Sequence, residues 1–189
     1  MKVVLFNGSP REKGNTYHCL NYVIEELEAE GIECEYVWIG GENLNACKAC
    51  FSCAGKKACI QTDDKLNVYY EKMLEADGII IGSPTYFANV SSTVKALIDR
   101  AGIISQTNPG LLKRKVGAGV IAVRRAGATH VFSSINYFFL ISQMIVVGSS
   151  YWNMGFGLAP GEVKKDTEGI QTFKNLGKNF AFVLKKLKS

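Results

Sequence analysis

The chain has 189 residues, 47% of them hydrophobic and 21% charged, proportions that fit one globular domain with a core large enough to need no disulfide staples and that exclude a disordered chain. The formal net charge of +5 is carried partly by Lys113, Arg114 and Lys115 and by Lys185, Lys186 and Lys188. With no recognised nucleic-acid motif beside them these read as solvated faces, so no nucleic-acid partner is expected.

Val3, Val4, Leu5 and Phe6 form the unbroken apolar run of a strand buried on both faces. No apolar leader precedes it, which argues against secretion and for a cytoplasmic chain. The strand runs into Phe6-Asn7-Gly8-Ser9-Pro10-Arg11-Glu12-Lys13-Gly14-Asn15-Thr16. Gly8 and Gly14 let the backbone approach a ligand, Ser9, Asn15 and Thr16 offer hydroxyl and amide groups, and Arg11 offers a charged fork. A helix over residues 16–30 then aims its free N–H groups at the same point, which completes a phosphate cradle. The cradle is neither G-x-G-x-x-G nor G-x-x-x-x-G-K-[ST], so an NAD-type dinucleotide fold and a nucleoside triphosphatase are both disfavoured.

Residues 32–39 alternate as a strand near a sheet edge, and Cys19 and Cys34 read as small core residues. From 40 to 62 the apolar period is lost, and Cys47, Cys50, Cys53 and Cys59 crowd together as C-x2-C-x2-C-x5-C in a loop too long to lack a function or a staple. Asp63 and Asp64 cap a helix through Asn67, Tyr70 and Leu74. A second buried strand at 78–82 ends in Ser83-Pro84-Thr85-Tyr86-Phe87, a rigid aromatic loop, before a helix over 91–101. A strand at 115–123 leads to Arg124-Arg125-Ala126-Gly127. The uncharged stretch 131–147 is too short and too rich in Ser, Asn and Gln for a membrane span and reads as a buried or subunit-interface helix, with 145–147 leading into the next strand. A glycine-rich segment and a closing helix over 167–187 complete a single domain over 1–189. Strands alternating with helices imply a parallel sheet covered on both faces.

Ligands of such sheets bind beyond the carboxyl ends of the strands. Three unusual loops meet there: 7–15 for a phosphate, 83–89 with Pro84, Thr85, Tyr86 and Phe87 for a flat heteroaromatic, and 124–127, where Arg124 and the backbone at Gly127 can stabilise negative charge on a reduced ring. These motifs, with the helix Val94-Lys95-Ala96-Leu97-Ile98-Asp99-Arg100 and with Trp152-Asn153 before Gly155-Phe156-Gly157, resemble the flavodoxin-like NAD(P)H-dependent FMN reductases. The resemblance implies a doubly wound five-stranded parallel sheet in the order 2-1-3-4-5. It also implies non-covalent FMN, its phosphate held by Ser9, Arg11, Asn15 and Thr16 and its ring by Pro84, Thr85, Tyr86 and Phe87, in a homodimer or homotetramer.

Six cysteines in a chain of this kind point to metal or redox chemistry. Zinc usually draws its ligands from two separated pairs, so three cysteines in quick succession and a fourth close behind favour a [4Fe–4S] cluster. Lys48, Lys56 and Lys57 offset its negative charge and favour its reduced state. A zinc-loaded or empty loop is the alternative. His18 and His130 are too isolated for a metal site. The cysteine spacing resembles that of the iron–sulfur flavoproteins, a branch of the same group. That resemblance implies a cluster on Cys47, Cys50, Cys53 and Cys59 passing electrons to FMN, with ferredoxin as donor and a quinone, a flavin or an oxygen species as acceptor. The competing reading is a cluster-free NAD(P)H-dependent reductase of flavin or quinone.

Overall fold

The structure, a computed structural model, describes residues 1–188. Among them, β1 (Lys2–Asn7), β2 (Glu33–Trp38), β3 (Gly78–Pro84), β4 (Val116–Val123), β5 (Ile145–Val146) and β6 (Met154–Phe156) form one sheet. Every pairing between them is parallel and the order is β2-β1-β3-β4-β5, as expected, with β6 also on β4. Side chains alternate across a strand, so each strand feeds two cores. Val4, Phe6, Ile79 and Ile81 pack under α2 (Leu66–Glu75), α3 (Ser92–Thr107) and α4 (Ala128–Ile141). Val3, Leu5, Ile80 and Val120 pack under α1 (Asn15–Ala29) and α5 (Thr167–Lys188).

The fifth lane departs from the expected single strand. β5 pairs with Val116 and Gly117, β6 pairs with the stretch from Ile121 to Val123, and the chain between them leaves the sheet. Asn153 fills the gap: its Nδ2 donates to Gly119 O at 3.1 Å, and its own C=O accepts the Ile121 N–H at 2.9 Å. Buried backbone groups must find partners, and one side chain here replaces the missing residues of the ladder.

Two helices also end differently from the sequence reading. α3 continues past 101 because Ile104 and Ser105 still face the core. The uncharged helix stops at Ile141, residues 142–144 turn the chain with Gln143 at φ 59°, and Ile145–Val146 form β5, the strand that 145–147 was expected to lead into. Cys19 is fully buried as expected, whereas Cys34, on the outer strand β2, is only half-buried. No helix of the described residues is long and apolar enough to cross a membrane.

Where β2 ends, its chain presses directly on the loop after β1. Ile39 and Gly40 N–H both donate to Asn7 O, at 2.9 and 3.0 Å, and a Cβ on Gly40 would lie 1.8 Å from Ser9 O. Backbone on backbone leaves no flexible end to yield, so Gly40→Ala is expected to lower stability by about 2 kcal/mol or more, read as a fall in Tm. Gly148→Ala, whose Cβ would meet nothing within 4 Å, is expected to leave Tm unchanged or slightly raised.

Candidate functional site

Parallel pairing brings the carboxyl ends of β1, β3, β4 and β6 to one edge, and the ladder continues into the loops. Gly8 N–H donates to Gly82 O, Thr85 N–H to Ala122 O and Gly157 N–H to Val123 O, each at 2.9 Å. Above these bonds lies a cleft of about 280 Å³. It brings together Ser9, Arg11, Asn15, Thr16, Pro84, Thr85, Tyr86 and Arg124, all singled out in the sequence as site residues, with Gly157, quoted there only within a motif, and with Ala122, Val123 and Leu158, which were not singled out. It opens into a wider depression of about 570 Å³ that shares Arg124, Gly157 and Leu158 and adds Phe156, Glu162, Lys165 and Asp166.

The phosphate-type end is shaped by α1. Gly14 is its N-cap and no side chain caps it, so the first-turn N–H groups and the positive end of the dipole point at the cleft. The loop before it stiffens itself: Asn7 Oδ1 accepts the Ser9 N–H at 2.9 Å, and Ser9 Oγ accepts the Arg11 N–H at 3.2 Å. Ser9 and Thr16 are buried and Arg11 is exposed. Asn15 has a different task from a free ligand group. Its Nδ2 donates to Gly157 O and Ala159 O, both at 3.0 Å, and its Oδ1 accepts the Val163 N–H at 3.3 Å, so it ties the cradle to the opposite wall.

The aromatic end is strained. Tyr86 and Asn89 exchange backbone bonds at 2.9 and 3.0 Å, which forces Phe87 and Ala88 to φ of 47° and 58°. Such conformations are uncommon for residues with a Cβ and concentrate at ligand clamps. Phe87 stands beside the cleft with its side chain wholly in solvent, and Thr85 Oγ1 is buried without a partner. Gly127, at φ 86°, starts α4. A Cβ there would lie 2.9 Å from Ala88, so this glycine supports the aromatic loop from below. Ser91 joins the two ends, donating from Oγ to Gly8 O at 2.8 Å while its N–H donates to Ser83 Oγ at 3.1 Å.

The cysteine loop, between β2 and α2, has no helix or strand. Ala49, Phe51 and Lys57 take positive φ, as does Gly55, so the chain reverses repeatedly. All six cysteines are free; Cys53 is buried, Cys47 and Cys59 are half-buried and Cys50 is exposed. Hydrogen bonds from the backbone and hydroxyl of Ser52 hold the Cys50 thiol below its usual pKa. Among the described residues, no three His, Cys, Asp or Glu side chains converge on a single-ion site.

The loop is held from α3 by a residue the sequence reading quoted without a role. Arg100 is fully buried, and its Nη1 donates to the Asp64 carboxylate and to Asn45 O (3.3 Å), while Nη2 donates to Gln61 O (3.1 Å). Asp64 in turn accepts the N–H groups of Asn45 (2.8 Å) and Leu66 (3.1 Å). Asn67 pins the Cys59 backbone at 2.8 and 2.9 Å, and Asn108 donates to Cys53 O at 3.0 Å. The signal was present: Arg100 lies three residues after Leu97 and four before Ile104, on the apolar stripe of its helix.

A parallel sheet in this order, with an anion cradle after β1 and an aromatic loop after β3, defines a flavodoxin-like mononucleotide-binding oxidoreductase. The model of the NADPH-dependent FMN reductase family matches residues 1–159. The chain is 40% identical over 195 aligned residues to an iron-sulfur flavoprotein of Methanocaldococcus jannaschii, covering 100% of both. It is 36% identical over 186 residues to an iron-sulfur flavoprotein of Methanosarcina thermophila, covering 97% of this chain and 95% of that one. A solved flavodoxin, the WrbA-like protein of Agrobacterium tumefaciens, superposes with a TM-score of 0.68 at 18% identity over 98% of this chain and 97% of the other, a likeness of fold alone. The chain therefore belongs to the iron–sulfur flavoproteins of the NADPH-dependent FMN reductase superfamily and is an FMN-dependent oxidoreductase.

Burial opposes the charge of Asp64, but the hydrogen bonds from Arg100, Asn45 and Leu66 outweigh it and hold the carboxyl below its usual value of 3.8. A carboxylate depressed on folding stabilises the fold above its unfolded pKa and loses that contribution as pH falls through the folded one. Asp64→Asn leaves Arg100 buried and unpaired, so it is expected to cost about 3–5 kcal/mol at pH 7. In denaturant titrations the gap to wild type should narrow as pH drops below 3.8.

Proposed function

We propose that this chain is an electron-transfer flavoprotein holding FMN in the cleft and one [4Fe–4S] cluster on Cys47, Cys50, Cys53 and Cys59, with ferredoxin as donor and a quinone, a flavin or an oxygen species as acceptor. The observation that carries the reading is contiguity: the loop bearing four free cysteines leaves β2 at Gly40, whose backbone lies against Ser9 of the cradle. The residues suit both groups. A dianionic phosphate answers the uncapped helix and the hydroxyls of Ser9 and Thr16, and the unpartnered Thr85 Oγ1 suits a polar edge of the ring. Four free thiols on one reversing loop are the donor set that a four-iron cluster would take, with Cys47, Cys50, Cys53 and Cys59 as the residues that would hold it.

When bound, the cluster supplies electrons singly and the flavin exchanges one or two, so the pair links a one-electron donor to a two-electron acceptor. The chain's own part is position and electrostatics. Arg11 and the α1 N-terminus anchor the phosphate, Tyr86 and Phe87 offer ring faces, and Arg124 with the 124–127 backbone favours negative charge on the flavin ring. A second copy of the chain is expected against α4, where Tyr137, Leu140 and Ile141 stand exposed beside a groove reaching Ile98 and Ile103 on α3. Ile141→Glu should then lower the mass seen in sedimentation; an unchanged mass sets this surface aside.

The deciding experiment is anaerobic purification with iron, acid-labile sulfide and flavin counted per chain. About four irons, four sulfides and one FMN are expected. Flavin without iron after reconstitution would favour the cluster-free NAD(P)H-dependent reductase. Cys50→Ser should lose iron and keep FMN. Thr16→Val combined with Arg11→Gln should weaken FMN at least tenfold, about 1.4 kcal/mol, and unchanged flavin affinity would remove the phosphate assignment.

A further inference from the structure

We infer that Arg100, held by Asp64 on the floor of the cysteine loop, is a positioning residue that sets the reduction potential of the group on the four cysteines, an inference that rests on the cluster reading above. Three observations carry it. First, Arg100 is the largest fully buried side chain among the described residues, at 0% exposure, and its Nε–H is buried with no hydrogen-bond partner among them. A guanidinium has five N–H donors, and here one carboxylate and two backbone carbonyls leave part of that capacity unused. Asp64 pairs with it, and its Nη2 reaches Gln61 O, two residues after Cys59, so the charge lies at the foot of the last cysteine of the motif.

Second, the same side chain fixes the geometry of the loop. Its two terminal nitrogens reach Asn45 before Cys47 and Gln61 after Cys59, closing both ends of the cysteine segment on one rigid fork. Gln61 returns from the far side, with Nε2 on Ala46 O (3.2 Å) and on Cys59 Sγ (4.0 Å). Asn67 fixes the N–H and C=O of Cys59 from α2. Cys59 is thus held in place through Asn67 and Gln61, and Gln61 is the residue whose carbonyl the buried guanidinium grips.

Third, the lysines within the motif are poorly placed for this task. Lys48, Lys56 and Lys57 are all exposed, where water and salt screen a charge, whereas a buried one acts at low effective dielectric. The sequence points to those lysines; the structure places the effective charge on α3. A fixed positive charge stabilises the more negative, reduced state of a thiolate-ligated cluster and so raises its potential.

The experiment compares wild type with Arg100→Gln, Arg100→Lys and Asp64→Asn, all purified anaerobically, reading iron, sulfide and FMN per chain and the cluster midpoint by EPR-monitored redox titration. Arg100→Gln should shift the reduction equilibrium at least tenfold towards the oxidised cluster, about 59 mV for one electron. Arg100→Lys, which keeps the charge without the fork, should restore most of the potential while holding less iron. Asp64→Asn, which removes the compensating charge, should move the potential the opposite way. Opposite signs are the outcome that a purely structural role does not produce. Variants that lose iron while the remaining clusters keep the wild-type potential would overturn the inference alone. A wild type without iron would remove the cluster reading, and this inference with it. Should Arg100→Gln fail to fold, judged by lost FMN, the sign of the Asp64→Asn shift decides.

Discussion

A parallel sheet delivers every strand end to one edge, where backbone groups run out of ladder partners and must be met by something else. In this protein the answer is a chain of short polar substitutes. Asn7 O accepts two N–H groups from the end of β2 while its Oδ1 takes the Ser9 N–H. Ser91 bridges Gly8 to Ser83, and Asn153 repairs the broken fifth lane. What this arrangement leaves unspent is the first turn of α1, without a side-chain cap, and the buried hydroxyl of Thr85. The binding edge is where the fold's own hydrogen bonding stops.

The same accounting explains how a long irregular loop survives in a small domain. Residues 40–62 cannot be held by a ladder, and several of them sit in left-handed backbone. Their order comes from a few buried donors and acceptors on and beside neighbouring helices: Arg100 from α3 and Asn108 just past its end, Asp64 just before α2 and Asn67 within its start. A buried ion pair is a poor source of net stability, because desolvation offsets most of the attraction. What it gives instead is register, because a loop that parted Asp64 from Arg100 would leave two buried charges unpaired. That is a reason for a pair where an apolar residue would pack as well.

Much of this was legible from residue types alone. β1, β3 and β4 announced themselves as apolar runs because both of their faces are covered, and the cradle and aromatic loop were recognisable from small, hydroxyl and aromatic residues at strand ends. The cysteine loop was legible by spacing. Arg100 was not, because one arginine in an amphipathic helix normally sits on the solvent face, and only its place on the stripe of Leu97 and Ile104 says otherwise. Leu158, and the place of Gly157 in the cleft, escaped because β6 has three residues and β5 two, too few for a period to register. The end of α4 was faint for a related reason: Ser142 and Gln143 look like Ser133, Ser134 and Asn136 inside the helix, so nothing in hydrophobicity marks the turn at Gln143.

The contact between Gly40 and Ser9 bears on how the two ends of the site relate. A side chain at that point would let the cysteine loop and the cradle move apart by rotamer changes; two backbones in contact move together or not at all. Trp38 reinforces the junction by donating from Nε1 to Ser9 O at 2.8 Å. The loop is thus clamped at its near end to Ser9 of the loop after β1 and along its length to α3, whose N-cap Ser91 holds Gly8. The proposed transfer of electrons from the cysteine loop to the cleft would depend steeply on distance and ask for no motion between the two once both are loaded. A scaffold that joins loop and cleft through main chain and one helix would meet that requirement with few residues.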